Sequence, residues 1–287
     1  MATLSQYKKQ SQAELDKIYK ELNKVASPQQ NYSDEDNRFW QPEVDKAGNG
    51  YAVIRFLPPP DGEDVPFVRV FTHGFKGPTG SWYIENSLTT LGQNDPVSEY
   101  NSKLWNSGIE SDKDQARAQK RRLTFISNVQ IVKDPANPEN EGKVFLYKYG
   151  KKIFDKLNDA MNPKFEDEKP VNPFDPVNGA NFKVKIRQVE GYRNYEKSEF
   201  DSPSAITEDE KEWAKIEGGI HSLQDFLHPR HFKSYDELKQ KFERVMGIGT
   251  TTPKASDNVV AMPKGKTASA KDDDDIEDFN IDDILDD

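Results

Sequence analysis

Residues 121–150 read RRLTFISNVQIVKDPANPENEGKVFLYKYG, two apolar runs either side of a loop rich in proline, asparagine and glycine. β-branched and aromatic residues crowd both runs, and the breaker-rich centre can continue neither, so 121–132 and 143–150 are expected to pair as a hairpin. Successive side chains on a strand alternate, which puts Phe145, Tyr147 and Tyr149 on one face and Val144, Leu146 and Lys148 on the other. An aromatic face with basic neighbours suits a single-stranded nucleic acid, whose bases stack on rings while cations follow the phosphates. The same alternation equally suits an aromatic stripe inside a core, and both readings stand at this point.

Working outward, the β pattern extends from Trp40 to about Tyr195. YAVIRFL is a strand over 51–57 that three prolines stop. DVPFVRVFTHGF and GSWYIE are further strands. In NFKVKIRQVEGY (181–192), apolar Phe182, Val184 and Ile186 alternate with Lys183, Lys185 and Arg187, giving one apolar and one cationic face. Helices are predicted over 151–161, 207–219 and 235–247, the last closed by Gly247. Near the N-terminus, Ser11 and Glu14 have the spacing of a capping box ahead of a helical apolar pattern. The organisation expected is a basic arm and helix over 1–26, a linker over 27–37, a core over 38–247, a flexible linker over 248–271 and an acidic tail over 272–287.

The charge is unevenly spread. The chain of 287 residues has 50 acidic and 40 basic side chains, and ten of the acids lie between Asp272 and Asp287; without them 40 face 40. A block of like charge cannot collapse, so the tail is expected to be disordered. It carries Phe279, Ile281, Ile284 and Leu285 at a spacing that lines one side of a helix if a partner orders it, the alternative being a solubility appendage. Residues 116–156 hold ten basic residues against four acidic ones, among them Lys120, Arg121, Arg122, Lys148 and Lys151. Residues 181–197 add five against two and include Tyr192-Arg193-Asn194-Tyr195. Basic segments interleaved with aromatics are what a nucleic-acid partner requires.

Several function classes are disfavoured. The sequence has no cysteine, hence no disulfide framework, thiolate nucleophile or cysteine-based zinc site. No phosphate-cradling glycine loop, no zinc-protease helix motif and no serine-hydrolase elbow is present, so an enzyme is not expected. His221, His228 and His231 lie close together, but Pro229 breaks their spacing as ligands. No apolar run is long enough for a membrane span, and the first twenty residues lack the apolar stretch of a signal peptide.

The stretches AGNGYAVIRFLP, VFTHGFKGPTGSWYIE, VKDPANPENEGKVFLYKYGKKIFDKLNDAM and GANFKVKIRQVEGYRNYEKSEF together resemble the single-stranded-DNA-binding, helix-destabilising proteins of T-even-type bacteriophages. The likeness is collinear over about 38–206 and fainter at both ends. It implies a mainly β, α+β protein: an OB-fold core with added helices, a flexible basic N-terminal arm and a disordered acidic C-terminal tail. It also implies cooperative coating of single-stranded DNA during phage replication, recombination and repair, in the cytoplasm of the infected bacterial host. The acidic tail would contact phage replication and recombination proteins and compete with DNA. An RNA-binding translational regulator and an acidic-tailed scaffold are the alternatives.

Carried over position by position, the resemblance puts Arg55, Lys120, Arg121, Arg122, Phe125, Tyr147, Lys148, Tyr192 and Tyr195 against DNA. Lys151, Lys183, Lys185 and Arg193 join them from the basic segments read above. Phe125 replaces a tyrosine of the family and Ile126 a tryptophan. Head-to-tail self-association on DNA would use Lys8, Lys9 and Ser11, in an arm one cation and one hydroxyl poorer than the family's. The family holds zinc through one histidine and three cysteines; here His73 remains while Ser87, Asp95 and Ser98 take the cysteine positions. Hydroxyls are not the usual zinc ligands, so no cofactor is expected, and packing of Trp82, Tyr83, Leu88, Leu91 and Trp105 is expected to hold this region instead.

Overall fold

The computed structural model describes residues 36–165 and 167–248. The expectations for Lys8, Lys9 and Ser11, and for Phe279, Ile281, Ile284 and Leu285, lie outside those residues. Within them the chain forms nine strands and five α-helices: an α+β protein on a mixed sheet.

The opening hairpin is its spine. β5 (Arg122–Lys133) pairs antiparallel with β6 (Val144–Tyr149), through Phe125↔Tyr149 and Ser127↔Tyr147. The intervening loop contains a 3-10 turn at Pro138–Asn140. On its other edge β5 has two partners in succession. β3 (Val68–Lys76) pairs with its first half, and β2 (Gly50–Phe56) with its second. β1 (Phe39–Trp40) pairs parallel with β6, β4 (Trp82–Asn86) pairs with β3, and β7 (Phe182–Val189) pairs with β2. β8 (Tyr192–Asn194) and β9 (Glu199–Phe200) both pair with β7. The tight turn Glu190-Gly191 has both residues at positive φ, 53° and 90°, as the twist of a two-residue hairpin demands.

Alternation sorts the sheet's two faces. On one, Trp40, Ile54, Phe56, Phe125, Val129, Ile131, Tyr147, Tyr149 and Phe182 form the main core, closed by Ile153 and Leu157 of α3 (Lys151–Met161). On the other, Val68, Val70, Ile126 and Leu146 pack with Leu223. The polar residues of β5 are buried with partners: Ser127 Oγ lies 2.8 Å from the Tyr149 hydroxyl, and the Asn128 side chain bonds both backbone groups of His221. The strand reading of 181–192 is met by β7, where Phe182, Val184 and Ile186 are buried and Lys183, Lys185 and Arg187 are not.

Three helices fall near their expected places: α3, α4 (Glu210–Glu217) and α5 (Tyr235–Met246). A full capping box of Ser234 and Glu237 starts α5, and Gly247 ends it at φ 68°. Two others were not anticipated in the β-patterned region. They are α1 (Pro96–Trp105), N-capped by Asp95 with Pro96 in its first turn, and α2 (Glu110–Ala118), which has no side-chain cap. A second core unites Phe75, Tyr83, Leu88 and Val97 with Leu238, Phe242, Val245 and Met246 of α5. This corrects the packing expected around His73. Tyr83 and Leu88 belong to it, whereas Trp82 is 59% exposed and Trp105 42%, because alternation on β4 turns Tyr83 inward and Trp82 out.

Candidate nucleic-acid interface

Because β5 and β6 are antiparallel, the start of one and the end of the other lie at the same end of the sheet. Lys120 and Arg121 precede β5, while Lys151 and Lys152 follow β6 at the opening of α3. The hairpin thus brings together the two basic runs that the sequence keeps about thirty residues apart. Lys120 and Arg122 are exposed. The guanidinium of Arg121 lies over the Phe71 ring at 4.3 Å; burial lowers its pKa, against the opposing charge of Asp95. Lys148 is exposed on β6, with its ammonium 4.2 Å from the centre of the Phe39 ring. Each aromatic holds a long cationic side chain in place, at a gain of roughly 0.5–1 kcal/mol at exposed sites. Lys151 pairs with Asp155 at 2.9 Å.

The β7–β8 ribbon supplies a second group. Arg193 is exposed, and Tyr192 and Tyr195 are half-buried. Tyr195 packs against the main core beside α3, and Lys156 of α3 reaches the Glu196 carbonyl at 3.0 Å. The Tyr147 hydroxyl marks the meeting of these parts. Burial pushes its pKa well up, with Tyr195 and Tyr149 adding to the shift and Arg193 opposing it. Arg193 and Tyr195 therefore lie near the core-facing side of β6.

Of the expected DNA contacts, three are buried and, besides Lys151, two are ion-paired. Arg55 is fully buried, because β2 is covered on both edges and both faces. Its Nη2 donates to the carbonyls of Asp175 at 2.9 Å and Ser204 at 2.8 Å, holding two loops to the sheet. Phe125 is 2% exposed and sandwiched: the Phe154 ring stacks at 4.0 Å with 6° between planes, the Tyr149 ring at 5.7 Å with 15°. At 2% exposure the ring offers no face to a base. Tyr147, also 2% exposed, continues this column from Tyr149 at 5.6 Å and meets Trp40 at 5.4 Å. The aromatic face of β6 is thus core. Lys183 and Lys185 point outward as expected, but each has a carboxylate, Asp201 for the first and Glu199 at 2.7 Å for the second. Phe39 and Phe71, the rings beneath Lys148 and Arg121, were missed by sequence reasoning. No short-range pattern joins either ring to its cation.

The four positions aligned with the family's zinc ligands do converge, but as a polar cluster whose hydrogen bonds centre on Asp95. His73 Nδ1 lies 3.1 Å from the Gln119 carbonyl and Nε2 3.3 Å from Asp95 Oδ1. Asp95 Oδ1 also accepts from the amides of Val97 and Ser98, and Oδ2 from the Ser87 hydroxyl and the Leu88 amide. Burial alone would raise the Asp95 pKa. The hydrogen bond and charge of His73, the Ser98 amide and the Ser87 hydroxyl outweigh it, bringing the carboxyl down to about 2. Asp95 thus has its acceptor sites occupied, both ring nitrogens of His73 face oxygens, and the other two groups are hydroxyls. This donor set does not fit a structural zinc ion. Among the described residues, no group of three or more His, Asp or Glu is arranged to hold a metal ion.

A mixed sheet with aromatic-backed cations at one end, and no catalytic constellation among the described residues, has the character of a binding protein. The family model described as gp32 DNA binding protein like matches residues 48–246, and the chain belongs to that family. The chain is 40% identical to the single-stranded DNA-binding proteins of Enterobacteria phages T2 and T4, over 97% of its own length and 89% of theirs. A protein of the same description from Escherichia phage SV14 is 44% identical over 34% of this chain and 84% of its own.

Proposed function

We propose that this protein binds single-stranded DNA without strong sequence preference, coating it during phage replication, recombination and repair in the infected host's cytoplasm. The observation that carries this reading is the convergence of Lys120, Arg121, Arg122, Lys148 and Lys151 at one end of the β5–β6 hairpin, to which the β7–β8 ribbon adds Arg193, Tyr192 and Tyr195 on the side of β6 that faces the main core. The cations follow phosphates and the two half-exposed tyrosines stack bases. The strand order, in which a long central β5 is shared by β6, β3 and β2, is in keeping with an OB-fold of the kind that binds oligonucleotides. Lys8, Lys9 and Ser11 serve head-to-tail cooperativity. The acidic tail, with Phe279, Ile281, Ile284 and Leu285, occupies the cationic surface until DNA displaces it, and then engages replication proteins. The reading implies that truncation after Lys271 raises DNA affinity at low salt only.

Titration with oligo-dT of increasing length, followed by intrinsic fluorescence at several salt concentrations, tests the proposal. Quenching is expected, with log K falling by about 0.7 per log unit of salt for each phosphate bound. Tighter binding to poly-U at matched salt would make the protein an RNA binder. Salt-insensitive or absent binding would favour the acidic scaffold.

A further inference from the structure

We propose that the His73–Asp95 pair, together with Ser87 and the Gln119 carbonyl, is a metal-independent clamp that positions the Lys120–Arg122 run for DNA. The inference rests on the DNA-binding reading and adds to it the group that sets the geometry of its most cationic segment.

Four stretches of chain meet at this pair. His73 sits in the middle of β3 and is 1% exposed. The Ser87-Leu88 turn donates a hydroxyl at 3.0 Å and an amide at 3.1 Å to Asp95 Oδ2. The first turn of α1 donates two amides, each at 3.0 Å, to Asp95 Oδ1. The residue after α2, Gln119, gives its carbonyl to His73 Nδ1 and to Asn101 Nδ2, both at 3.1 Å. A structural metal joins separate segments in this way, through one buried point with several short bonds. Here a carboxylate and an imidazole do so, and the bonds radiate to chain segments that sequence separates widely.

The clamp bears directly on the DNA surface. Gln119 immediately precedes Lys120, and its side chain is held on the far side, where Nε2 meets the Met246 sulfur of α5 at 3.2 Å. With carbonyl and amide both fixed, the backbone leaves Gln119 in one direction, and Lys120, Arg121 and Arg122 follow at set positions. Arg121 lies within the field of Asp95. The three cations thus present a preformed array, which binds phosphates without first losing chain entropy.

The test uses the full chain and three variants: Asp95→Asn, the double variant Lys120→Gln/Arg122→Gln, and their combination. Asparagine keeps the shape and capping ability of Asp95 but not its charge. Asp95→Asn is expected to weaken oligo-dT binding at least tenfold and to lower the salt slope by about 0.7 for each phosphate that the variant no longer holds. In the background without Lys120 and Arg122 it should change affinity less than twofold. Hydrogen exchange should accelerate at 119–122 while the β5–β6 pairing keeps its protection; general loosening of the fold would speed both. Treatment of the parent with a strong chelator should alter neither oligo-dT affinity nor melting temperature. Equal losses from Asp95→Asn in both backgrounds, unchanged exchange at 119–122, or a chelator-induced fall would overturn the clamp. If Asp95→Asn does not fold, Ser87→Ala takes its place in the same cycle, with a smaller effect of the same pattern. A parent that ignores oligo-dT while Asp95→Asn still frees 119–122 would refute the DNA-binding reading and leave the clamp standing.

Discussion

The two basic runs that meet at the end of the hairpin are anchored by opposite kinds of chemistry. Lys151 opens the helix that covers the main core, where rings of Phe154, Phe125, Tyr149 and Tyr147 stack in a column across α3, β5 and β6, and Lys148 rests on the Phe39 ring of the opposite face. Lys120–Arg122 follow a region whose centre is polar, the buried His73–Asp95 pair at 3.3 Å flanked by the second core. Ring contacts are short-ranged and non-specific in partner, so that half tolerates substitutions that conserve volume. Buried polar bonds tolerate little, since each partner removed leaves another unsatisfied. One surface is therefore supported by a forgiving half and an exacting half.

The largest expected effect breaks this contrast if it fails. Phe125→Ala should cost about 3–5 kcal/mol of stability in urea unfolding, as removal of a fully packed ring does, while Phe125→Leu costs under about 1.5 kcal/mol. A stable Phe125→Ala protein with weakened oligo-dT binding would return that ring to the DNA surface. Next, Tyr192→Ala should weaken oligo-dT binding by about 1–3 kcal/mol with little change in melting temperature, since the ring is only half-buried. Loss of stability without loss of binding would assign it to the core.

Acid sharpens the polar half. The carboxyl of Asp95 is held at about 2, below its ordinary 3.8, so it stabilises the fold fully above pH 4 and loses that contribution as pH falls through 2. The stability gap between the parent and Asp95→Asn should narrow by about 2 kcal/mol between pH 5 and pH 2, measured by urea unfolding at each pH. A constant gap would mean that His73 and the amide donors do not favour the charged form. The smallest effect concerns the edge of the second core. Ser234→Ala should remove the capping box of α5 at a cost of about 1 kcal/mol, again by urea unfolding, without altering oligo-dT affinity.

Strand positions were legible because alternation is a local signal: Phe182 to Arg187 declare their two faces within six residues. The faces of β6 were equally legible, but not which face meets solvent. That was decided by Phe154, which α3 lays on Phe125 after a full turn of the chain. Helix α2 is silent in the sequence, because ESDKDQARA has no apolar period and no side-chain cap to mark its start. Asp95-Pro96 did carry the signature of a helix start, a capping carboxylate followed by proline at the first position. Its resemblance to a family ligand position masks that signature. The links from His73 to Asp95 and Gln119 span strands and helices, and no spacing in the sequence encodes them.

The contact between Gln119 and Met246 carries a consequence for oxidative stress. With no cysteine in the sequence, no thiol couples this protein to peroxide or to the host's disulfide machinery. The sulfur that meets Gln119 is a thioether, and Met246 is 8% exposed at the end of α5. Its conversion to the sulfoxide puts a bulky polar oxygen into the second core and replaces a weak acceptor with a strong one. Because the sulfur is packed, an oxidant reaches it only when the end of α5 opens. Damage there accumulates slowly and is reversed by a reductase, rather than acting as a rapid redox switch.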